Sequence, residues 1–446
     1  MSTTVESQAG TGKTATKSLV PTYMTSQSYA VVAVCFLSWM FATIGNGVYS
    51  VASPMLKEMF SMDNATAGMV VSIFSLGGWV STLFIPKIAD KHGRRIGLAI
   101  CILIVVLCNG SYALIGSLGM LFVVRFFANW GNTCIWAINA SYISEIVPAP
   151  KRGFATGIMQ SGTPIGNFTS SFLIGLLVAA GYAWQTASYV FPIAIILLVP
   201  IFFVLKETPT WLRNRSELQR AKQEAAQNAE AAAAVGKTQS YGELFKPQYR
   251  KNVLIGIAMA MVSAILAWGN SAYFVLSLAD MGFDAATRVT MHMTLWGVAI
   301  IGYATSGIIS DKIGRKHAML LFRTPMVIAL GVMYYMYVSQ NINVPVVYAM
   351  LAIAGLGMGG VTIQITYTNE MMPSHVRTMG TGFAIGIGRI TAMIGVPMLG
   401  VLADWTSLPF AWWMASIIGW LMVPLIYFGA ETAGKDIDAL SEQASS

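Results

Sequence analysis

The sequence predicts an all-α membrane protein with twelve transmembrane helices in two pseudo-symmetric six-helix bundles. Of its 446 residues, 55% are hydrophobic and only 10% are charged, against about 25% charged in an ordinary soluble domain. Apolar stretches of about 20 residues recur, each long enough to cross ~30 Å of hydrocarbon. Backbone groups in lipid must pair internally, so the spans are helices. This composition excludes a soluble enzyme, a disordered scaffold and a nucleic-acid binder.

The spans divide into two groups of six. A polar N-terminal tail at 1–28 lacks the apolar core of a signal peptide. Six spans follow in 29–205, and six more in 252–430, before a short tail at 431–446. The polar segment 206–251 joins the two groups and contains an Ala-rich run, QRAKQEAAQNAEAAAAVGK, which is typical of a solvated linker helix.

The basic residues predict the orientation. Most of the 27 Lys and Arg residues fall on one side when both termini are placed on that side. Since positive loops stay in the cytoplasm, we expect an inner or plasma membrane protein with both termini cytoplasmic. The four cysteines lie in apolar runs without metal-ligand spacing, so neither a metal nor a cofactor is expected.

Two loop motifs occur twice, six spans apart. PKIADKHGRR (86–95) is repeated as SGIISDKIGRK (306–316). YISEIVPAPKRG (142–153) is repeated as YTNEMMPSHVRTMG (367–380). Recurrence of both motifs at one offset indicates that the second half of the chain repeats the first.

These motifs resemble the loop signatures of the major facilitator superfamily across 29–430. The family pattern G-x-x-x-D-x-x-G-R-[RK] has Pro86 at its first position in one copy and Gly307 in the other. KETPTWL (206–212) resembles the segment after span 6 in the sugar-porter, aromatic-acid and organic-ion branches. The resemblance implies a monomeric secondary transporter that works by alternating access in the bilayer.

The repeated motifs also predict a gate. Their charged side chains are expected to hold the bundles together at the cytoplasmic face when the protein opens outward, and to separate when it opens inward. The alternative is that these charges only orient the loops. The gate residues are Asp90, Arg94, Arg95, Glu145, Arg152, Asp311, Arg315, Lys316, Glu370 and Arg377.

Titratable groups are scarce inside the spans. None of the 19 carboxylates falls at mid-membrane. Asn46 stands in span 1, where proton-coupled members of the family often carry Asp, and an amide does not titrate. His292 in span 8 is the one intramembrane group that titrates near neutral pH. It can be a proton site or a structural histidine.

Arginines occupy the spans instead, where a charge is costly and functional by default. Arg125 begins a polar stripe on one face of span 4, formed by Arg125, Asn129, Asn132, Trp136 and Asn139. Arg125 can contact substrate or clamp neighbouring helices. Arg323 is expected to extend to the membrane interface.

Arg389 lies near mid-depth of span 11. It resembles the span-11 arginine of aromatic-acid and organic-anion transporters. A guanidinium there can bind a carboxylate through two hydrogen bonds, or it can pack helices.

The predicted substrate is therefore a small organic anion, a mono- or dicarboxylate that can be aromatic, moved by anion exchange or proton symport. A facilitator or symporter of a neutral sugar or polyol is the alternative, because amide and aromatic side chains also recognise hydroxyls. The predicted substrate-binding residues are Arg389, Arg125, Asn46, Tyr49, Asn129, Asn132, Trp136, Gln160, Asn270, Tyr273, Gln364 and Tyr367. The sequence shows no nucleophile–base or metal-ligand cluster that would indicate an enzyme.

Overall fold

A computed structural model describes residues 23–148, 151–209, 211–213, 215–216, 241–372 and 377–432. The Ala-rich run, nearly all of the N-terminal tail and most of the C-terminal tail lie outside these ranges. The described part of the chain is helical and contains no β-strand, which confirms the predicted all-α class.

The first half supplies six long helices. They are α1 (Ser26–Met59), α2 (Asn64–His92), α3 (Arg94–Leu114), α4 (Leu118–Ile146), α5 (Arg152–Ala179) and α6 (Trp184–Phe203). The turn at 82–84 interrupts α2, and α6 is a 3-10 helix over Trp184–Leu197.

The second half supplies another six. They are α7 (Pro247–Asp280), α8 (Ala285–Ile313), α9 (Arg315–Val338), α10 (Val344–Glu370), α11 (Arg377–Trp405) and α12 (Leu408–Phe428). A turn at 358–359 interrupts α10, and Leu421 interrupts α12.

Within the described residues, eleven of these helices are long and apolar enough to cross a membrane. The helix outside that set is α4, although its 29 residues give it a comparable length. It is also the helix that carries the polar stripe. The structure thus confirms a multi-span helical protein.

Helix starts differ between the two ends of the molecule. We call the end with the α2–α3 and α8–α9 loops the basic end, and the other the opposite end. At the opposite end, α2 begins with Asp63, whose Oδ1 accepts from the Thr66 N–H at 2.7 Å. This side-chain and backbone bonding lowers the pKa of Asp63, so the cap is intact at neutral pH and is lost as pH falls through that lowered value.

At the basic end, α3 and α9 follow glycines instead. Gly93 and Gly314 have φ of +115° and +88°, a region that favours residues without a Cβ. Neither helix has a capping side chain from its own preceding residue. Their first N–H groups must therefore find acceptors elsewhere in the fold.

The two halves meet along two helix pairs, α2 with α11 and α5 with α8, and α1 and α2 also contact α7. At the opposite end these pairs are tight. The Asn64 N–H donates to Asp404 Oδ1 at 3.2 Å, across the α2–α11 pair. A Cβ added at Gly400 would lie 2.5 Å from the Asn64 carbonyl oxygen. The opposite end is closed.

The same helix pairs separate toward the basic end. A Cβ added at Gly386 of α11 would lie 3.9 Å from the Trp79 ring of α2. Nearer the basic end, a Cβ at Gly382, Gly157 or Gly307 would meet no described atom within 4 Å. The close contacts of the opposite end are therefore not repeated at these three glycines, and we take the basic end as the open end of a candidate cleft between the halves.

This asymmetry predicts different outcomes for two alanine substitutions in α11. Gly400→Ala places a methyl group against backbone that cannot move aside, so we expect it to destabilise the protein by about 1–3 kcal/mol. Gly382→Ala, in open space on the same helix, is the matched control and should leave the melting temperature in detergent unchanged or slightly higher. Equal losses in the two variants would contradict the closed-end geometry.

Candidate substrate-binding cleft

Arg125 of α4 is fully buried between two aromatic rings. Its Cζ atom lies 3.9 Å from the ring centres of both Tyr49 and Phe74, and its Nη1 donates to the Tyr112 hydroxyl at 3.0 Å. Two further guanidinium nitrogens have no hydrogen-bond partner in the described chain. Ring faces attract a desolvated cation strongly. This packing favours the clamp role for Arg125 and makes Tyr49 part of the clamp.

Two asparagines of the polar stripe join helices. Asn129 Nδ2 donates to the Phe74 carbonyl of α2 at 2.7 Å. Asn139 Nδ2 donates to the Cys35 carbonyl of α1 at 3.0 Å. Each bond satisfies an amide within the protein and holds α4 against a neighbour.

Arg389 of α11 reaches across the interface to α2 and α4. A Cβ added at Gly78 of α2 would lie 2.4 Å from Arg389 Nη1 and from Asn129 Nδ2, and 2.5 Å from Thr133 Oγ1. The absent side chain at Gly78 leaves the room in which these three groups converge. Sequence analysis missed Gly78 and Thr133, although Thr133 stands one turn after Asn129.

The Arg389 guanidinium has unused hydrogen-bonding capacity. Its Nε and Nη1 atoms are shielded from solvent and have no hydrogen-bond partner in the described chain, while the residue as a whole is half-buried. Among the described side chains, no carboxylate pairs with it. An unsatisfied cation at this depth is costly, and a carboxylate beside the guanidinium would neutralise it.

Amide side chains lie elsewhere around the cleft. Trp136 Nε1 donates to Gln160 Oε1 at 3.0 Å, linking α4 to α5. Asn46 is partly exposed and Asn132 is 5% exposed. These groups can accept or donate to a polar solute.

Two of the predicted substrate-binding residues, Asn270 and Tyr273, form hydrogen bonds within the second half. Trp412 Nε1 donates to Asn270 Oδ1 at 2.8 Å, and the Tyr273 hydroxyl donates to the Val396 carbonyl at 2.7 Å. Both are nearly fully buried. These bonds pack α7 against α12 and α11.

Two candidates on α10 also have partners. Gln364 Oε1 accepts from Ser263 Oγ at 3.1 Å. The Tyr367 hydroxyl donates to the Ala430 carbonyl at 2.9 Å, after α12. Tyr367 therefore lies near the basic end rather than beside Arg389.

His292 is buried at the α5–α8 contact with both ring nitrogens engaged. Its Nδ1 lies 2.5 Å from Ser171 Oγ, and its Nε2 accepts from Trp296 Nε1 at 3.1 Å. Because the indole can only donate, the network assigns the proton to Nδ1 of a neutral imidazole. The Phe274 ring stacks on it at 5.3 Å. This environment favours the structural alternative.

The expectation for Arg323 is wrong. Its side chain is 1% exposed and does not extend to the interface. Nη1 lies 3.4 Å from the Gly357 carbonyl, beside the turn that interrupts α10. Glycines at that turn let the guanidinium approach, since an added Cβ at Gly360 would lie 2.6 Å from its Nε.

The predicted gate residues of the first half form a network around Arg94. Its guanidinium pairs with Asp90 at 2.5 Å and with Glu145 at 3.4 Å. Glu207, just after α6, accepts the N–H groups of Arg94 and Arg95 at 3.0 and 3.1 Å. Glu207 thereby caps α3.

The second half repeats this network residue for residue. Arg315 pairs with Asp311 at 2.6 Å and with Glu370 at 2.9 Å. Glu431, just after α12, accepts the N–H groups of Arg315 and Lys316 at 2.9 and 3.1 Å. Two carboxylates thus supply the caps that α3 and α9 lack.

Sequence analysis missed Glu207 and Glu431. A signal was present, because KET (206–208) and AET (430–432) both place Glu-Thr directly after the sixth span of their half. Of the other predicted gate residues, Arg152 Nε donates to the Val147 carbonyl at 3.1 Å. The side chain of Arg377 lies outside the described part of the chain.

The gate pairs do not bridge the cleft in this conformation. Each ion pair found among the described residues joins side chains of one half. Closing of the basic end by these residues stays a prediction.

Because Arg125 lies between two aromatic rings, we predict that another positively charged side chain cannot replace it. Arg125→Lys keeps the cation but loses the planar stacking and the bond to Tyr112, so we expect a loss of about 2 kcal/mol or more in stability. Thermal unfolding in detergent measures this. Arg288→Lys, at a partly exposed position, is the control. If both variants melt like the wild type, the stacking contributes nothing.

Comparison with known proteins agrees with this architecture. The chain matches the family model described as Major Facilitator Superfamily over residues 35–387. It aligns with the partially occluded inward-open xylose transporter XylE from E. coli with a TM-score of 0.74 and 15% identity, covering 92% of this chain and all of the other.

Relatives with assigned substrates fall into two groups. The arabinose-proton symporter of Bacillus subtilis is 25% identical, covering 89% of this chain and 90% of that protein. Two proteins of Acinetobacter baylyi are each 23% identical: the niacin transporter covers 92% of this chain and 96% of its own length, and the benzoate transport protein 80% and 79%. The chain is a multi-pass membrane transporter that belongs to the Major Facilitator Superfamily.

Proposed function

We propose that this transporter carries a small organic anion, a mono- or dicarboxylate that can be aromatic, by alternating access. The observation that carries the proposal is the half-buried Arg389 guanidinium, whose Nε and Nη1 have no hydrogen-bond partner in the described chain. A substrate carboxylate that reached the guanidinium would accept hydrogen bonds from it and neutralise its charge.

The surroundings of Arg389 support a ligand role. Asn129 Nδ2, which donates to the Phe74 carbonyl, and Thr133 Oγ1, which donates to Asn129 Oδ1, lie beside it at Gly78, so polar groups from two bundles meet there. A ligand held there would contact both halves, as alternating access about a central site requires. Arg125, in contrast, is closed off by its rings.

The named relatives support both candidate substrates. Benzoate and niacin transporters favour an organic acid, and an arabinose symporter favours a sugar. The Trp136–Gln160 pair is the specific feature that favours the neutral alternative, because an amide beside an indole suits hydroxyl recognition. Arg389 favours the anion, since a sugar would leave its charge uncompensated.

Coupling follows from the same charges. Both ring nitrogens of His292 form hydrogen bonds, one with Ser171 and one with Trp296, so it has no free site at which to take up a transported proton. If one anion replaced another at Arg389, each would neutralise the guanidinium charge without the help of a titrating residue. Symport remains possible when the substrate carboxyl itself carries the proton.

We also propose that α4 is the twelfth span. Its Asn129 and Asn139 bond to α2 and α1, and Arg125 is enclosed by rings, so α4 needs no uniformly apolar surface. Residues 29–205 and 252–430 then form the two bundles, joined by the 206–251 linker. With the basic end cytoplasmic, the conformation described is open to the cytoplasm.

The ligand role of Arg389 predicts a selective loss of stabilisation. Carboxylates, aromatic and aliphatic, should raise the melting temperature of the purified wild type by mass action, and sugars and polyols should not. Arg389→Gln should fold but lose the shift. Arg288→Gln removes the same charge at the opposite end and should keep the shift.

Other results would redirect the proposal. Stabilisation of both wild type and Arg389→Gln by sugars would establish the neutral substrate and leave Arg389 a packing role. For coupling, vesicles loaded with the stabilising carboxylate should accelerate uptake of the labelled compound if the protein exchanges anions. An absence of acceleration, with proton uptake instead, would favour symport.

Orientation has a direct test. Lys91→Cys, in the last turn of α2, should react with an impermeant maleimide in inside-out vesicles and not in intact cells. Labelling of intact cells would place the basic end outside and reverse the assignment.

A further inference from the structure

A chain of hydrogen bonds crosses between the halves where α5 packs on α8. Trp296 Nε1 donates to His292 Nε2 at 3.1 Å, and His292 Nδ1 lies 2.5 Å from Ser171 Oγ. The Ser171 hydroxyl in turn donates to the Asn167 carbonyl at 3.1 Å. The first two of these residues belong to α8 of the second half, and the last two to α5 of the first.

Each bond in this chain has one possible direction. An indole nitrogen only donates and a carbonyl oxygen only accepts, so both ends of the chain are fixed. The neutral imidazole must then carry its proton on Nδ1 and donate it to the Ser171 hydroxyl. Ser171 and His292 are both 0% exposed, so bulk water does not reach either partner in this conformation.

The Ser171–His292 bond lies in the stretch where α5 and α8 approach closely. On one side of it, a Cβ added at Gly175 would lie 3.0 Å from Val289. On the other side, a Cβ added at Gly297 would lie 3.4 Å from the Phe168 ring. Because the two helices belong to different halves, this stretch must separate if the opposite end opens.

Another hydrogen bond joins the halves at the opposite end, from the Asn64 N–H to Asp404 Oδ1 at 3.2 Å. Asp404 is exposed, so water can replace its carboxylate as the acceptor. The Nδ1–H group of His292 is buried and has no replacement until water enters between α5 and α8. Since a buried donor without an acceptor is costly, the buried bond opposes opening more strongly than the exposed one.

We propose that the Ser171–His292 hydrogen bond is a latch that keeps the opposite end closed, a role that rests on the alternating access of the proposed function. Replacing Ser171 by alanine leaves the His292 N–H without an acceptor in the closed conformation. In a conformation open at the opposite end, water can hydrate the same N–H. Loss of the hydroxyl therefore shifts the population toward that open conformation.

Hydrogen–deuterium exchange of the full-length protein in nanodiscs measures this shift. In Ser171→Ala, peptides at the opposite end of α5 and α8 should exchange faster and peptides at their basic end more slowly. The population open at the opposite end should rise about fivefold, as expected for one hydrogen bond.

Ser170→Ala is the matched control. The Ser170 hydroxyl donates to the Asn167 carbonyl within α5 at 2.6 Å. It faces α1 of its own half, since a Cβ added at Gly47 would meet it. This variant should exchange like the wild type.

Ser171→Cys supplies a second variant and a second measurement. A thiol is a weaker acceptor than a hydroxyl, so its exchange should shift in the same direction even if Ser171→Ala does not fold. A water-soluble maleimide should also react with it, because position 171 is uncovered whenever α5 and α8 separate. Ser170→Cys and the wild type, with its native cysteines, give the background.

Two outcomes would overturn the latch alone. One is equal exchange in Ser171→Ala and Ser170→Ala, and the other is faster exchange at both ends of Ser171→Ala, which would indicate general loosening. In either case a reactive Ser171→Cys would show that the halves still separate. An unreactive Ser171→Cys with unshifted exchange would overturn the latch and the proposed alternating access together.

Discussion

The structure depends on one constraint: a polar group inside the bilayer must find its partner within the protein. Arg125 meets it with two ring faces and a phenol, and His292 with a hydroxyl and an indole. Arg125 and Arg389 each keep two nitrogens without an acceptor in the described chain, and ring faces offset this for Arg125. A group that the fold leaves unsatisfied where the two halves meet is where a ligand gains most by binding.

Close backbone approach decides where the halves touch. Glycine at 400 lets α11 lie against the start of α2, and glycine at 78 makes room for Arg389, Asn129 and Thr133. Toward the basic end, a Cβ added at Gly157, Gly307 or Gly382 would meet no described atom within 4 Å. A protein built in this way can rock about its middle, since the contacts that close one end are not shared by the other.

The duplicated loops act through helix ends as well as through ion pairs. Glu207 and Glu431 each follow the last helix of their half. Each accepts from backbone N–H at the start of the third helix of that half, α3 or α9, and so ties the two segments together. A carboxylate is favourable at a helix N-terminus, where the unpaired N–H groups and the helix dipole attract negative charge. Movement at the end of α6 or α12 is thereby coupled to the Arg94 and Arg315 networks.

The sequence by itself determined the helical class, the internal repeat and the charged motifs, because hydropathy and short spacings are local properties. It also placed the stripe of α4 on one face. Only the tertiary structure decided that Arg125 is enclosed by Tyr49 and Phe74 while Arg389 lies beside Gly78 and Asn129, and that Arg323 is buried. The role of a polar side chain in a membrane is set by which neighbouring helix satisfies it, and that neighbour is distant in the chain.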